Sequence, residues 1–204
     1  MMKRVMPVPD QSAFDFITVQ PRRPQRPERL FIGLFPDEAA KHAAHGIGRR
    51  AASELGLSGE TLPIDRFHTS LAHISDRKRV RSKDEFAADL AARMVRIQPF
   101  EITYGRLGSF PAAPKPGRPP EHPLVLLADE GPVMDLHAAL GAGLRRFRYR
   151  VPETFRPHLT LSYNRQFLPV RAVEPITFVV KEFVLVHSRL WLTDYRILRR
   201  WSLH

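Results

Sequence analysis

Apolar and polar positions follow one another in an order that predicts most of the elements. Arg29–Phe35 (RLFIGLF) is a short apolar run closed by Pro36, the mark of a buried strand. Ala40, Ala44, Ile47, Ala51 and Leu55 recur at helical spacing and predict a helix over roughly Asp37–Leu55, weakened by Gly46 and Gly48. Arg66–Ile74 reads as a second strand. Ser82-Lys83-Asp84-Glu85 has the form of a capping box, opening a helix on which Phe86, Leu90 and Met94 share a face. Phe100–Leu107 alternates as a strand does, the proline-studded stretch Phe110–Pro123 is a loop, and Leu124–Ala128 is another buried strand. A third amphipathic helix begins at Gly131-Pro132 and carries Val133, Leu136, Leu140, Leu144 and Phe147. Three strands close the chain at His158–Tyr163, Ile176–Ser188 and Tyr195–Trp201, the last two joined as a hairpin.

This order predicts an α+β fold of mostly antiparallel sheets with helices packed outside. Each half holds a strand of the form H-x-[ST]-L, which suggests two related lobes facing each other across a central cleft. Residues 1–27 stand apart. Pro21–Arg29 alternates proline with charge, a pattern that resists helix and sheet alike. The expectation is a flexible basic tail over 1–27 and a single domain over 28–204.

Composition narrows the function classes. Of 204 residues, 43% are hydrophobic, enough for a core, and none is cysteine. Disulfides, thiolate nucleophiles, thiolate zinc sites and iron–sulfur clusters are thereby excluded. No apolar run reaches the roughly 18–20 residues that cross a bilayer, and the N-terminus lacks a signal peptide's apolar stretch. A cytoplasmic monomer without a membrane partner is the expectation. The net charge of +11, from 32 basic against 21 acidic residues, favours a polyanionic partner such as nucleic acid or nucleotide. No glycine-rich phosphate loop is present. His42 and His45 lie three apart on a predicted helix but lack a third ligand nearby, so they read as solvated surface.

The chemistry sits in two segments, FHTSLAHI and RPHLTLSY. Strand side chains alternate, so His68 shares a face with Ser70, and His158 with Thr160, while Thr69, Leu71, Leu159 and Leu161 point the other way. By the same parity His73, five residues past His68, faces away, and packing is the better reading for it and for His187. Opening a cyclic phosphate with water needs a base for the nucleophile and an acid for the leaving sugar oxygen on the far side of phosphorus. Histidine, titrating near 6.5, can fill either role. The hydroxyls can donate to the non-bridging oxygens. This arrangement calls for neither metal nor cofactor. The near-symmetry of the two motifs leaves open which imidazole is the acid.

The paired motifs resemble the 2H phosphoesterase superfamily, and within it the LigT-like RNA 2′,3′-cyclic phosphodiesterase / 2′-5′ RNA ligase proteins. The likeness covers about Arg29 to Trp201. RLFIGL is similar to that family's opening strand, DRFHTSLAHI and FRPHLTLSYNR to its two motif strands, and FVLVHSRLWLTDYRILRRWSL to its closing hairpin. It implies a bilobal fold of two antiparallel sheets around a V-shaped cleft. It also implies His68 as proton donor, His158 as proton acceptor, and Ser70 and Thr160 as phosphate holders. The implied activity is hydrolysis of 2′,3′-cyclic phosphate on RNA ends or nucleotides to a 2′-phosphomonoester, with 2′-5′ ligation as the reverse step.

Two positions depart from the family pattern. Ser70 stands where threonine is usual, and Tyr163 where many relatives have an arginine, with Arg165 nearby as its substitute. Tyr163, Arg165 and Phe31 are therefore further candidates for touching substrate, the aromatic ones by stacking on a base. Small cyclic nucleotides or 2′-5′ oligonucleotides are the alternative substrates. A non-catalytic RNA-end-binding protein is the alternative class.

Overall fold

A computed structural model of the chain describes residues 24–112, 117, 119–192 and 194–204, so most of the expected tail lies outside the described residues. The elements are β1 (Glu28–Leu34), α1 (Glu38–Leu55), a short 3₁₀ turn (Ile64–Arg66), β2 (Thr69–Arg77), α2 (Ser82–Ala92), β3 (Phe100–Ser109), β4 (His122–Ala128), α3 (Pro132–Arg146), β5 (His158–Asn164), β6 (Arg171–Val180), β7 (Glu182–Arg189) and β8 (Asp194–Ser202). They form two four-stranded sheets, ordered β2-β1-β7-β8 and β5-β4-β3-β6. Every strand pairing is antiparallel. The α+β architecture expected from the pattern is the one observed.

The two sheets exchange chain at Lys181. The apolar run Ile176–Ser188 is therefore two strands, not one: β6 borders the second sheet and β7 lies inside the first. Burial marks the division. Ile176, Phe178 and Val180 are buried at every second position, whereas Phe183–Val186 are buried without interruption. A continuous apolar run hides such a break, because an edge strand and a central strand can share one composition.

The helices cross between halves as well. α1 follows β1 but packs on β5 and β6 of the second sheet, while α2 and α3 pack together, with β2 of the first sheet beneath them. α1 is capped at both ends: the Asp37 carboxylate accepts from the Ala40 N–H at 2.8 Å, and Gly56 ends the helix at φ 58°. Gly48 does not break it. That position lies against Thr61 and Leu161, where a Cβ would stand 3.1 Å from Thr61.

α2 departs from its capping-box reading. Ser82 is already helical, Arg81 is the N-cap and makes no side-chain cap bond. The buried face is Ala87, Ala88, Ala91 and Ala92 with Asp84, while Phe86 and Met94 are exposed. Asp84 was claimed by tertiary partners: its carboxylate accepts from Arg77 Nε (2.6 Å), Tyr149 OH (2.7 Å) and Ser75 Oγ (2.9 Å). Burial alone would raise this carboxyl, but those three hydrogen bonds and the Arg77 charge hold it below its usual value.

Candidate active site

Both motif strands are sheet edges, β2 in the first lobe and β5 in the second. A buried hydroxyl ties them together. Thr69, 1% exposed, donates from Oγ1 to the His158 carbonyl at 2.9 Å and accepts from the Tyr104 hydroxyl at 2.5 Å. The Leu62 N–H adds a bond to the Leu161 carbonyl at 2.7 Å. The two histidines are thereby brought to one cleft between the lobes.

Each imidazole is held by the same device. Nδ1 of His68 bonds to the Arg66 carbonyl at 2.8 Å, and Nδ1 of His158 to the Arg156 carbonyl at 2.7 Å. A carbonyl takes only a donor, so both neutral rings carry the proton on Nδ1 and leave Nε2 as the working nitrogen. Nε2 of His68 lies 3.1 Å from Ser70 Oγ. Aromatic rings wall both sites: Phe31 and Tyr195 at 4.8 and 5.3 Å from the His68 ring, and Phe110 edge-on at 4.8 Å from His158. Burial pushes His68 down to about 4. The bond to the Arg66 carbonyl opposes that shift, and the charges of Arg66, His158 and Arg29 reinforce it. His158 is lowered too, by burial first and then by the Arg156 charge against its own carbonyl bond.

Simple alternation fails in both motif strands, and at matching places. In β2, Ser70 pairs with Gly33, Ala72 with Ile32, His73 with Phe31 and Asp76 with Arg29, so Leu71 and Ile74 are extra residues. Each extra residue inverts the parity that follows it. Ser70, His73 and Asp76 therefore share the cleft face, and the expectation that His73 points away is overturned. In β5, Thr160 pairs with Val125 and Ser162 with Leu124, leaving Leu161 unmatched, so Tyr163 returns to the cleft face. The Leu71 carbonyl at the first bulge bonds to Nδ1 of buried His137 at 2.7 Å, which links the bulge to α3.

Of the expected site residues, His68, Ser70, His158, Thr160 and Tyr163 come together. Phe31 is 3% exposed and buttresses His68, so its surface is not open to a base. Arg165 follows the end of β5, where its N–H bonds to Ser58 Oγ at 3.1 Å. His187 pairs across from Leu30 on the helix-covered face, away from the cleft. Two residues were missed: Arg66 and Arg156. Their signal was in the sequence as R-x-H-x-[ST]-L in both motifs. The Arg66 guanidinium lies 4.0 Å over the Tyr195 ring, and that of Arg156 lies 5.3 Å from Phe110. Arg29 is neutralised by Asp76 at 2.8 and 2.9 Å, which holds that carboxyl at about 2. Among the described residues no carboxylate pairs with Arg66 or Arg156, and Arg66 Nε is buried without a hydrogen-bond partner. Also among the described residues, no three His, Asp or Glu side chains gather as a metal-ligand set, and no helix is long and apolar enough to cross a membrane.

Such an arrangement can move protons at two imidazoles while hydroxyls and guanidinium groups hold an anion between them. The family model described as the 2′-5′ RNA ligase superfamily matches residues 65–190, which include both motif strands. Among solved structures, TT0787 of Thermus thermophilus is 20% identical, with 86% of this chain and 97% of that one covered and a TM-score of 0.66. Apo LigT of E. coli is 24% identical, with 87% and 98% covered and a TM-score of 0.64. LigT complexed with 3′-AMP is 23% identical over the same shares, with a TM-score of 0.61. No curated protein sequence matches the chain.

Proposed function

Because the chain belongs to the 2′-5′ RNA ligase superfamily, we propose that it hydrolyses 2′,3′-cyclic phosphate on RNA ends to a 2′-phosphomonoester with His68 and His158 as acid and base. The observation that carries this reading is the matched pair of imidazoles on facing edge strands, each fixed through Nδ1 to a main-chain carbonyl, which leaves Nε2 as the nitrogen that can exchange a proton. His158 Nε2 takes a proton from water as its oxygen bonds to phosphorus. The bond from phosphorus to O3′ breaks, and His68 Nε2 gives its proton to that oxygen. Ser70 and Thr160 donate to the non-bridging oxygens, and the guanidinium groups of Arg66 and Arg156, which meet no carboxylate among the described residues, supply the opposing charge. Burial keeps His68 neutral before substrate binds. An arriving phosphate anion favours the imidazolium, so the acid is loaded when substrate is present. With a 5′-hydroxyl in place of water, the same steps make a 2′-5′ linkage.

A nucleotide phosphate is the ligand carried over from the LigT complex with 3′-AMP. The cysteine-free basic chain is read as a cytoplasmic monomer, with residues 28–204 as the catalytic domain and 1–27 as a basic extension. The test is turnover of 2′,3′-cyclic AMP in excess EDTA. Product is expected, and His68→Ala and His158→Ala should each lose at least about 10²- to 10⁴-fold in kcat/KM. His68→Ala should regain activity on a nitrophenyl ester, whose leaving group needs no proton. Full activity in either alanine variant ends the two-histidine reading, and rescue of His158→Ala alone reverses the roles.

A further inference from the structure

The turn between β2 and α2 carries five cations in seven residues, Arg77 to Lys83. It forms one wall of a groove of about 980 Å³ whose other wall is Pro24–Pro27. Arg77 is engaged by Asp84, but among the described residues Arg26, Lys78, Arg79 and Arg81, all lining the groove, have no carboxylate partner. The turn is fixed beforehand: the Val80 N–H bonds to the Glu28 carboxylate at 2.8 Å, and the Asp84 network anchors its far end.

The groove borders the cleft face at Asp76. Asp76 lines it and is also the last member of the Ser70–His73–Asp76 row on the cleft face. Its negative charge is met by Arg29 and, at 3.0 Å, by His73, so the passage between cleft and groove does not repel an anion. The two bulges set the six steps from Ser70 to Asp76 against the four from Gly33 to Arg29. Four strand steps span about 14 Å, which a stacked strand at roughly 3.4 Å per phosphate covers in about four nucleotides.

We infer that this groove binds the phosphodiester backbone of a single RNA strand about four nucleotides from the end held between His68 and His158. The inference rests on the cyclic phosphodiesterase reading for what occupies the cleft. A strand suits the site better than a lipid surface does: the charge lies inside a concavity that borders the cleft face, and among its described lining residues Val80 is the one large aliphatic side chain.

The experiment compares the full chain with the Arg26→Gln/Lys78→Gln/Arg79→Gln variant, on 2′,3′-cyclic AMP and on an octaribonucleotide ending in 2′,3′-cyclic phosphate. The variant should keep its kcat/KM on cyclic AMP within twofold and lose at least tenfold on the octamer. Octamer affinity, read by fluorescence anisotropy, should weaken likewise, and the slope of log affinity against log salt should flatten by about 2, at roughly 0.7 per lost phosphate contact. The anisotropy arm needs no turnover, so a chain that binds the octamer through these cations but hydrolyses nothing keeps the groove and rejects the catalytic reading. Unchanged octamer affinity and salt slope overturn the inference. So do equal losses on octamer and cyclic AMP, or loss of binding to anionic phospholipid vesicles with octamer affinity intact.

Discussion

Replacing Thr69 with valine removes one oxygen atom from the contact between the two lobes and nearly nothing from its volume. In the native chain that oxygen donates to the His158 carbonyl and accepts from Tyr104, whose hydroxyl is wholly buried and whose pKa burial raises. Losing the first bond costs about 0.5–1.5 kcal/mol, and stranding the Tyr104 hydroxyl costs about 1–3 kcal/mol. The expected loss is therefore about 2–4 kcal/mol, or roughly 4–16 °C in Tm at the 2–4 °C per kcal/mol usual for this chain length. Tyr104→Phe alone should cost about 1–2 kcal/mol, since it strands only a lone pair on Thr69. In the double variant neither orphan remains. Its loss should fall short of the sum of the single losses by at least about 1 kcal/mol, a coupling that urea denaturation can measure. Because the same hydroxyl holds the His158 main chain, Thr69→Val should also reduce kcat. Additive losses, or a Thr69→Val protein as stable and active as the parent, would refute the idea that this oxygen joins the lobes.

The pH profile of kcat/KM should be bell-shaped with its maximum below about pH 6.5, because both imidazoles are held below their usual value. Activity is lost above that as the acid deprotonates, and the limbs belong to the coupled pair; a maximum above pH 8 would contradict the burial argument. Arg66→Gln should weaken binding of a nucleoside 2′-phosphate at least tenfold, leave the nucleoside unaffected, and raise the His68 pKa seen by NMR, since the cation that depresses it is gone. Asp84→Asn leaves Arg77 and Tyr149 without their carboxylate and should cost about 3 kcal/mol at pH 7 in urea denaturation. The difference from the parent should shrink as acid protonates the native carboxyl, whose folded pKa is depressed and whose contribution is lost as pH falls. Gly59→Ala would set a Cβ 1.9 Å from the Tyr163 carbonyl, in a turn whose N–H bonds to Asn164 at 2.8 Å. A loss of about 1–3 kcal/mol is expected, and an unchanged Tm would show that the turn can shift freely.

The sequence by itself determined the class of fold, the two motif strands and the pairing of each histidine with a hydroxyl two residues on. Those are local properties: apolar periodicity reports burial, and His68–Ser70 and His158–Thr160 lie close enough that no later irregularity intervenes. Tertiary structure decided what lies further along each strand. Bulges at Leu71 and Leu161 are set by pairing with β1 and β4, so parity counted along one strand could not show that His73 and Tyr163 both face the cleft. The break at Lys181 was invisible because its two flanks share one apolar composition but belong to different sheets. Asp84 looked like part of a helix cap until Arg77, Tyr149 and Ser75, brought up from other elements, took its oxygens. Arg66 and Arg156 were legible as letters but not as free cations. Whether a guanidinium meets a carboxylate or is left over an aromatic ring depends on which residues the fold brings beside it, and Tyr195 and Phe110 come from distant parts of the chain.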